Sequence, residues 1–319
     1  MTRTTEFYGE QAILLENENL RAVILPERGG KTASLFVKKT GMELLYQNTR
    51  KTFARAQFGS SFGDFESCGF DDAFPTVDEE IVEVGGRKEI YPDHGEIWSA
   101  SFVVDPPVMA KENAVNLCYY SRRLNYDYQK RFELKGNRLC CRYRIQNNAK
   151  VSLPYVWTMH CLMNLTPNMR FIFPVGTKQV QNVFSGSVLK GEEKIYRYPE
   201  DETEDGWYRF DRLPDGGSVK YYAVGRVKEG VCGYDYPETN TSVRLHYDPE
   251  KLPYLGCWIT AGGYRGDKNC ALEPCTGYYD SVGKAKRLVG SCAELAPGEM
   301  LDFTVEIEAY SIDNQVGRK

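Results

Sequence analysis

Hydrophobic and polar positions alternate with a period of two along most of the chain. From Arg138 to Ile145, the residues Leu139, Cys141, Tyr143 and Ile145 fall on one side and Arg138, Cys140, Arg142 and Arg144 on the other, as successive side chains of a strand do. Near the end, Leu301, Phe303, Val305, Ile307 and Ala309 alternate with Asp302, Thr304, Glu306 and Glu308. A helix would scatter those acids around its axis, so both segments predict half-buried strands, one with a basic outer face and one with an acidic outer face. Similar segments run over 20–25, 34–38, 100–104, 115–121, 128–134, 151–160, 171–175, 219–227, 242–247 and 254–260, separated by turn chemistry such as Pro26-Glu27-Arg28-Gly29-Gly30 and Gly85-Gly86. No stretch of about 15 residues sustains a 3.6-residue apolar period, and strands do not alternate with helices. The pattern predicts an all-β protein: one domain over 1–319, built as a large antiparallel β-sandwich, with 60–97 as an excursion too long to be an idle connection.

Composition narrows the function classes. The 319 residues carry 40 Lys+Arg against 44 Asp+Glu, a net charge of −4, which argues against nucleic-acid binding by bulk charge. No run approaches the roughly 18 apolar residues of a membrane span, and the start, MTRTTEFYGEQ, lacks the apolar stretch of a secretory signal, so a cytoplasmic chain without a membrane partner is expected. The ten cysteines are scattered, with Cys140 and Cys141 adjacent, and are expected to be reduced and mostly buried. The acidic run that starts at Glu200 is expected to be a solvated loop.

The chain has three histidines, His94, His160 and His246, and no close Cys/His spacing of the kind that holds zinc. It also lacks a phosphate-cradling Gly-x-x-x-x-Gly-Lys loop and a dinucleotide fingerprint, so no metal or cofactor is expected. His246 alternates with Ser242 and Arg244, which suits a structural or surface role.

Three segments bring ionisable groups into unusual company. In Tyr91-Pro92-Asp93-His94-Gly95-Glu96-Ile97-Trp98, a histidine follows a Pro-containing turn and precedes a glycine that permits close backbone approach. In Val156-Trp157-Thr158-Met159-His160-Cys161-Leu162-Met163-Asn164-Leu165, His160 lies near a strand end, on the face opposite Trp157. In Ala271-Leu272-Glu273-Pro274-Cys275-Thr276-Gly277, an acid sits in uncharged surroundings beside a proline expected to fix a turn.

Taken in order, these segments resemble the aldose 1-epimerase (galactose mutarotase-like) family over nearly the whole chain. Pro26-x-x-Gly29-Gly30-x-x-x-Ser34-Leu35 is similar to the family's N-terminal motif, and His94-Gly95 to its His-Gly motif. His160-Cys161-Leu162-Met163-Asn164-Leu165 is similar to its His-Pro-Tyr-Phe-Asn-Leu, Leu272-Glu273-Pro274-x-Thr276 to its Glu-Pro segment, and Ala296-Pro297-Gly298-Glu299 to its closing Pro-Gly-Glu. The resemblance implies a galactose mutarotase-type sandwich with a sugar cleft on one sheet and a small-molecule sugar as partner.

The implied reaction interconverts the α and β anomers of an aldose by opening the hemiacetal ring, which needs one base and one acid and no cofactor. The resemblance makes Glu273 the base, His160 the acid at the ring oxygen and His94 a polarising contact. This assignment requires His160 protonated while Glu273 is ionised, a state that opposite charges favour. Trp98 is a candidate face for the sugar to stack on, with core packing as its rival.

Two family contacts are changed. Where galactose-acting relatives have Gly-Arg-x-x-Asn-Arg, this chain reads Ser67-Cys68-Gly69-Phe70-Asp71-Asp72-Ala73-Phe74-Pro75, and Tyr221-Tyr222-Ala223-Val224 stands where a sugar-contacting Asp is expected. Asp72 and Arg265 are candidate replacements, and Arg265 also suits the phosphate of a hexose phosphate. A non-catalytic carbohydrate-binding protein is the alternative from another class.

Overall fold

A computed structural model describes every residue except 106–112, 187, 205, 215 and 316–319. Two large antiparallel sheets, of 13 and eight strands, pack face to face. The alternation in sequence reappears as burial. Arg138–Asn147 and Met300–Ser311 are neighbours in the smaller sheet and turn their apolar residues inward. Their basic and acidic outer faces pair: Arg138 meets Glu306 at 2.6 Å, Arg142 meets Asp302 at 2.6 Å, and Arg144 meets Asp302 at 3.1 Å. His246 joins this outer face, with Nε2 2.9 Å from Glu308.

The inner faces form one apolar cluster that extends from Ile13 to Ala309. Its centre is aromatic, with Trp157 edge-on to Tyr143 and Phe303, while the Trp157 indole N–H donates to the Tyr128 hydroxyl at 2.7 Å. Eight of the ten cysteines are buried.

The larger sheet positions the site. Its relevant strands are β1 (Lys31–Val37), β2 (Phe70–Ala73), β3 (Thr158–Cys161), β4 (Ser218–Ala223), β5 (Tyr254–Ala261) and β6 (Lys268–Cys275). They lie side by side in the order β1-β2-β3-β6-β5-β4. Register places His160 opposite Asp71, Thr158 opposite Cys275, and Glu273 opposite Gly256. Since residues two apart share a face, His160, Glu273, Trp258 and Lys220 all project from the outer face of this sheet.

Several elements differ from the sequence expectation. The 151–160 segment is two strands, Leu153–Tyr155 and β3, separated where the Val156 N–H turns to Pro75 O and the Trp157 N–H to the Thr276 hydroxyl. Strand β6 lies where a Pro-fixed turn was expected around Glu273-Pro274. Its ladder to β3 consists of the single pair Thr158–Cys275, and a short ladder tolerates a residue without an amide donor. The acidic run forms a hairpin, Glu200–Thr203 with Gly206–Arg209, held in part by Arg209 to Glu200 at 2.9 Å; Asp205 lies outside the described residues. The 60–97 excursion supplies β2 to the middle of the sheet, a hairpin of Glu80–Val84 with Arg87–Tyr91, and two loops beside the site. Among the described residues, no helix is long and apolar enough to cross a membrane.

Candidate active site

On the outer face of the larger sheet, a cleft of about 230 Å³ is lined by residues from six segments, including His94, His160, Lys220, Trp258 and Glu273. Glu273 is fully buried on β6. Gly256 on the next strand leaves room for its carboxylate: a Cβ there would lie 3.0 Å from Glu273 Oε2 and 3.1 Å from the Tyr222 ring. His160 Nε2 lies 4.0 Å from Glu273 Oε1, and Lys220 Nζ lies 3.5 Å from Glu273 Oε2. Lys220 apart, neither carboxylate oxygen has a hydrogen-bond partner among the described residues. A buried carboxylate held only by ion pairs is unusual, because buried acceptors are normally satisfied, and it leaves Glu273 aimed at whatever fills the cleft.

Lys220 is the cation of the site. It is nearly buried on β4 and lies 2.9 Å from Asp280, which also accepts from the Tyr222 hydroxyl at 2.7 Å. Burial works against its charge, but Asp280 and Glu273 outweigh burial and hold its ammonium above the ordinary range. For Glu273, burial is the largest influence and pushes the carboxyl up, while Lys220 opposes it. Lys220 therefore makes ionisation of a dry carboxylate possible.

His94 sits on the loop after Tyr91 with φ of 57°, a left-handed backbone fixed by its N–H donating to Val77 O at 2.6 Å. The following Gly95 packs against Phe74 so closely that a Cβ would lie 2.0 Å from the Phe74 carbonyl oxygen. This meets the expectation of close backbone approach. His94 Nδ1 is 2.6 Å from Asp93 Oδ1, and Asp93 Oδ2 accepts from the Phe62 amide at 2.9 Å and the Ser61 hydroxyl at 3.1 Å. Phe62 stacks on the His94 ring at 4.1 Å and meets His160 edge-on at 4.9 Å, while the two imidazoles cross edge to face at 4.8 Å.

His160 differs from the state its expected role requires. Burial, followed by His94, Lys220 and Lys31, pushes its imidazole well below the usual histidine range, and Nδ1 is buried without a partner. Burial of the ring, together with the charges of Lys220 and Lys31, outweighs the expected attraction to Glu273.

The structure brings together His94, His160 and Glu273, and places the other three sequence candidates elsewhere. Asp72 is on β2 but points into the core, where it accepts from Tyr143 at 2.9 Å and Tyr128 at 3.1 Å and pairs with Lys130 at 2.5 Å. Alternation explains this correction: its neighbour Asp71 takes the outer face beside Lys31, and Asp72 lies between the sheets, beyond reach of a cleft ligand. Trp98 packs behind Phe62 at 5.1 Å and donates to Asp93 O at 3.0 Å, so it braces the His94 loop and does not line the cleft. Arg265 is exposed at the rim, lining an adjoining hollow that shares Ser67 and Asp267 with the cleft.

Residues missed in the sequence complete the cleft. Trp258 on β5 donates to Asn269 Oδ1 at 3.0 Å, meets Tyr264 edge-on at 5.7 Å and lines the same cleft as Phe62 and His94. The sequence puts it on one face with Gly256 and Thr260, but nothing in that spacing distinguishes a cleft face from a solvent face. Lys220 gave no signal beyond a polar position between Val219 and Tyr221.

The two-sheet sandwich has the galactose mutarotase-like fold of the solved structures it matches. Similar solved structures are the Slr1438 protein of Synechocystis sp. PCC 6803, at 15% identity and TM-score 0.71 over 98% of this chain and 96% of that one, and a galactose mutarotase-like protein of Lactobacillus casei, at 18% identity and TM-score 0.69 over 94% and 100%. A galactose mutarotase related enzyme of Lactobacillus acidophilus matches at 15% identity and TM-score 0.66 over 94% and 98%. What is shared at such identities is the fold. A family model described as a domain of unknown function, DUF5107, matches residues 3–81. No curated protein sequence matches the chain.

Proposed function

We propose that the protein is an aldose 1-epimerase-like isomerase that opens and recloses the ring of a small sugar without a cofactor. The observation that carries this reading is Glu273, a fully buried carboxylate with no hydrogen-bond partner but Lys220 among the described residues, in a sugar-sized cleft that two imidazoles also line. Glu273 takes the proton of the anomeric hydroxyl, and the electrons of that O–H bond form the C1 carbonyl. The bond from C1 to the ring oxygen breaks, and that oxygen takes a proton from the histidine pair. After rotation about C1–C2, closure reverses each transfer and inverts C1. Trp258, Tyr264 and Phe62 offer apolar faces to the sugar ring, and Asn269 offers a polar contact.

A catalytic role is favoured over sugar binding alone by the two imidazoles that share the cleft with this carboxylate, because they supply an acid beside a base. A sugar with an anionic substituent is supported by the adjoining hollow of about 150 Å³, which Arg50 and Arg265 line. Glu66 and Asp267 also line that hollow, where Glu66 accepts from the Ala54 N–H at 3.0 Å and Asp267 from the Tyr46 hydroxyl at 2.8 Å. Polarimetry on neutral aldoses, aldose phosphates and uronic acids tests both points. Acceleration of anomer exchange for at least one sugar is expected, and for an anionic substrate Arg265→Ala raises KM with little change in kcat. The buffer rate for every sugar that binds contradicts the proposal.

A further inference from the structure

Lys220 is shared between two carboxylates, and the shares are unequal. Its Nζ lies 2.9 Å from Asp280 Oδ1 but 3.5 Å from Glu273 Oε2. Asp280 is buried and fixed at both its side chain and its main chain. Its Oδ1 also accepts from the Tyr222 hydroxyl at 2.7 Å, and its carbonyl accepts from the Val77 N–H at 2.9 Å and the Asp78 N–H at 2.8 Å. Val77 O in turn receives the His94 N–H at 2.6 Å, so one residue is tied to the cation beside Glu273 and, through Val77, to the loop that carries His94. The next residue, Ser281, caps the helix Val282–Val289 by accepting from the Lys284 N–H at 3.2 Å. Displacing Asp280 would break bonds to β4 and to the 77–78 segment together.

A carboxylate locked in a tight ion pair is stabilised as the anion and accepts a proton poorly, whereas a buried carboxylate far from any cation resists ionisation. A general base needs the ground between the two. We infer that Asp280 is the positioning residue of the base: by taking the closer share of Lys220, it keeps the ammonium near enough to Glu273 to permit a charge and too far to trap it. This assignment rests on the reading of Glu273 as the base of ring opening. The charged groups and imidazoles that act on Glu273 are Lys220 on β4, His160 on β3, His94 on its loop and Asp280 beyond β6. The Tyr222 hydroxyl and the thiols of Cys161, Cys257 and Cys275 surround it from β3 to β6, and burial raises all four, which keeps them protonated. Burial is the largest influence on the Glu273 carboxyl and raises it; Lys220 lowers it, and Asp280 raises it again. Lys220 and Asp280 therefore act on the base in opposite directions, which a packing role for either would not produce.

With carboxyl-labelled glutamate, the titration of Glu273 can be followed by carbon NMR in the whole, ligand-free protein, its signal identified by loss in Glu273→Gln. Asp280→Asn keeps a side-chain oxygen for Lys220 and Tyr222 and the same carbonyl for Val77 and Asp78, and removes only the charge. The expected result is a Glu273 midpoint lower by about half a pH unit or more in Asp280→Asn and higher by a similar amount in Lys220→Met. A midpoint unmoved or raised in Asp280→Asn, or shifts of the same sign in the two variants, overturns the inference without reference to any sugar. Asp280→Asn is isosteric and decides the question even where Lys220→Met does not fold. On a turned-over aldose, the low-pH limb of kcat/KM reports the base in the free enzyme and moves with the same signs. A limb that stays in place while kcat falls marks Asp280 as merely structural and overturns the assignment while ring opening stands. Absence of turnover on every sugar removes ring opening and with it the role of base, and the midpoint shifts then report only whether Asp280 sets the charge of Glu273.

Discussion

Glu273 is costly to keep charged, and the cost has a measurable sign. Its carboxyl is raised above the ordinary value of 4.5, chiefly by burial, so its contribution to stability is present below about pH 4.5 and is lost as pH rises through the folded-state value. Glu273→Gln removes that loss. In urea or thermal unfolding, the variant is expected to match the wild type near pH 4 and to become the more stable of the two as pH increases. A variant less stable at neutral pH would mean that Lys220 more than compensates burial. Glu273, His160 and His94 were legible as short ordered motifs because each breaks the pattern around it: an acid among apolar residues, and histidines in a chain with only three. Lys220 was not legible, since a lysine between Val219 and Tyr221 reads as an ordinary solvent position until β5 and β6 place Glu273 beside it. Asp71 and Asp72 show the same limit: adjacent acids on one strand look alike in sequence, and only register decides which faces the cleft side and which enters the core.

Among the elements, the His94 loop is the most constrained. It enters the site on a left-handed residue, is pressed against Phe74 at Gly95, and is braced by Trp98. Gly95→Ala combines a φ of 73° with a Cβ 2.0 Å from a carbonyl oxygen, so it is expected to cost about 1–3 kcal/mol in chemical unfolding and to lower turnover through displacement of His94. Unchanged stability would show that the loop yields freely. The long alternating strands were legible from sequence, and 20–25 is a strand over those residues. Strand β6 was not, because Asn269 to Cys275 is buried on both faces and leaves no period of two to read. Its proline reinforced the reading of a turn.

At the scale of the whole molecule, two sheets enclose an aromatic core with one charged pair at its centre, Asp72 and Lys130, both nearly inaccessible. Asp72 binds two tyrosine hydroxyls as well as the lysine, so Asp72→Ala strands a buried cation and is expected to cost about 3–5 kcal/mol. Adding Lys130→Met should recover much of that loss, and KM of the remaining folded protein should not change. A raised KM in Asp72→Ala with stability intact would return Asp72 to the sugar site. The core therefore holds the sheet rigid while the outer face of the same sheet keeps an unsatisfied carboxylate in reserve for a ligand. Exchange NMR between sugar anomers, comparing wild type with Glu273→Gln at equal sugar affinity, tests this account most directly. Anomer exchange is expected to be accelerated by the wild type and reduced about 10²–10⁴-fold in the variant; equal rates in the two proteins would rule out Glu273 as the base.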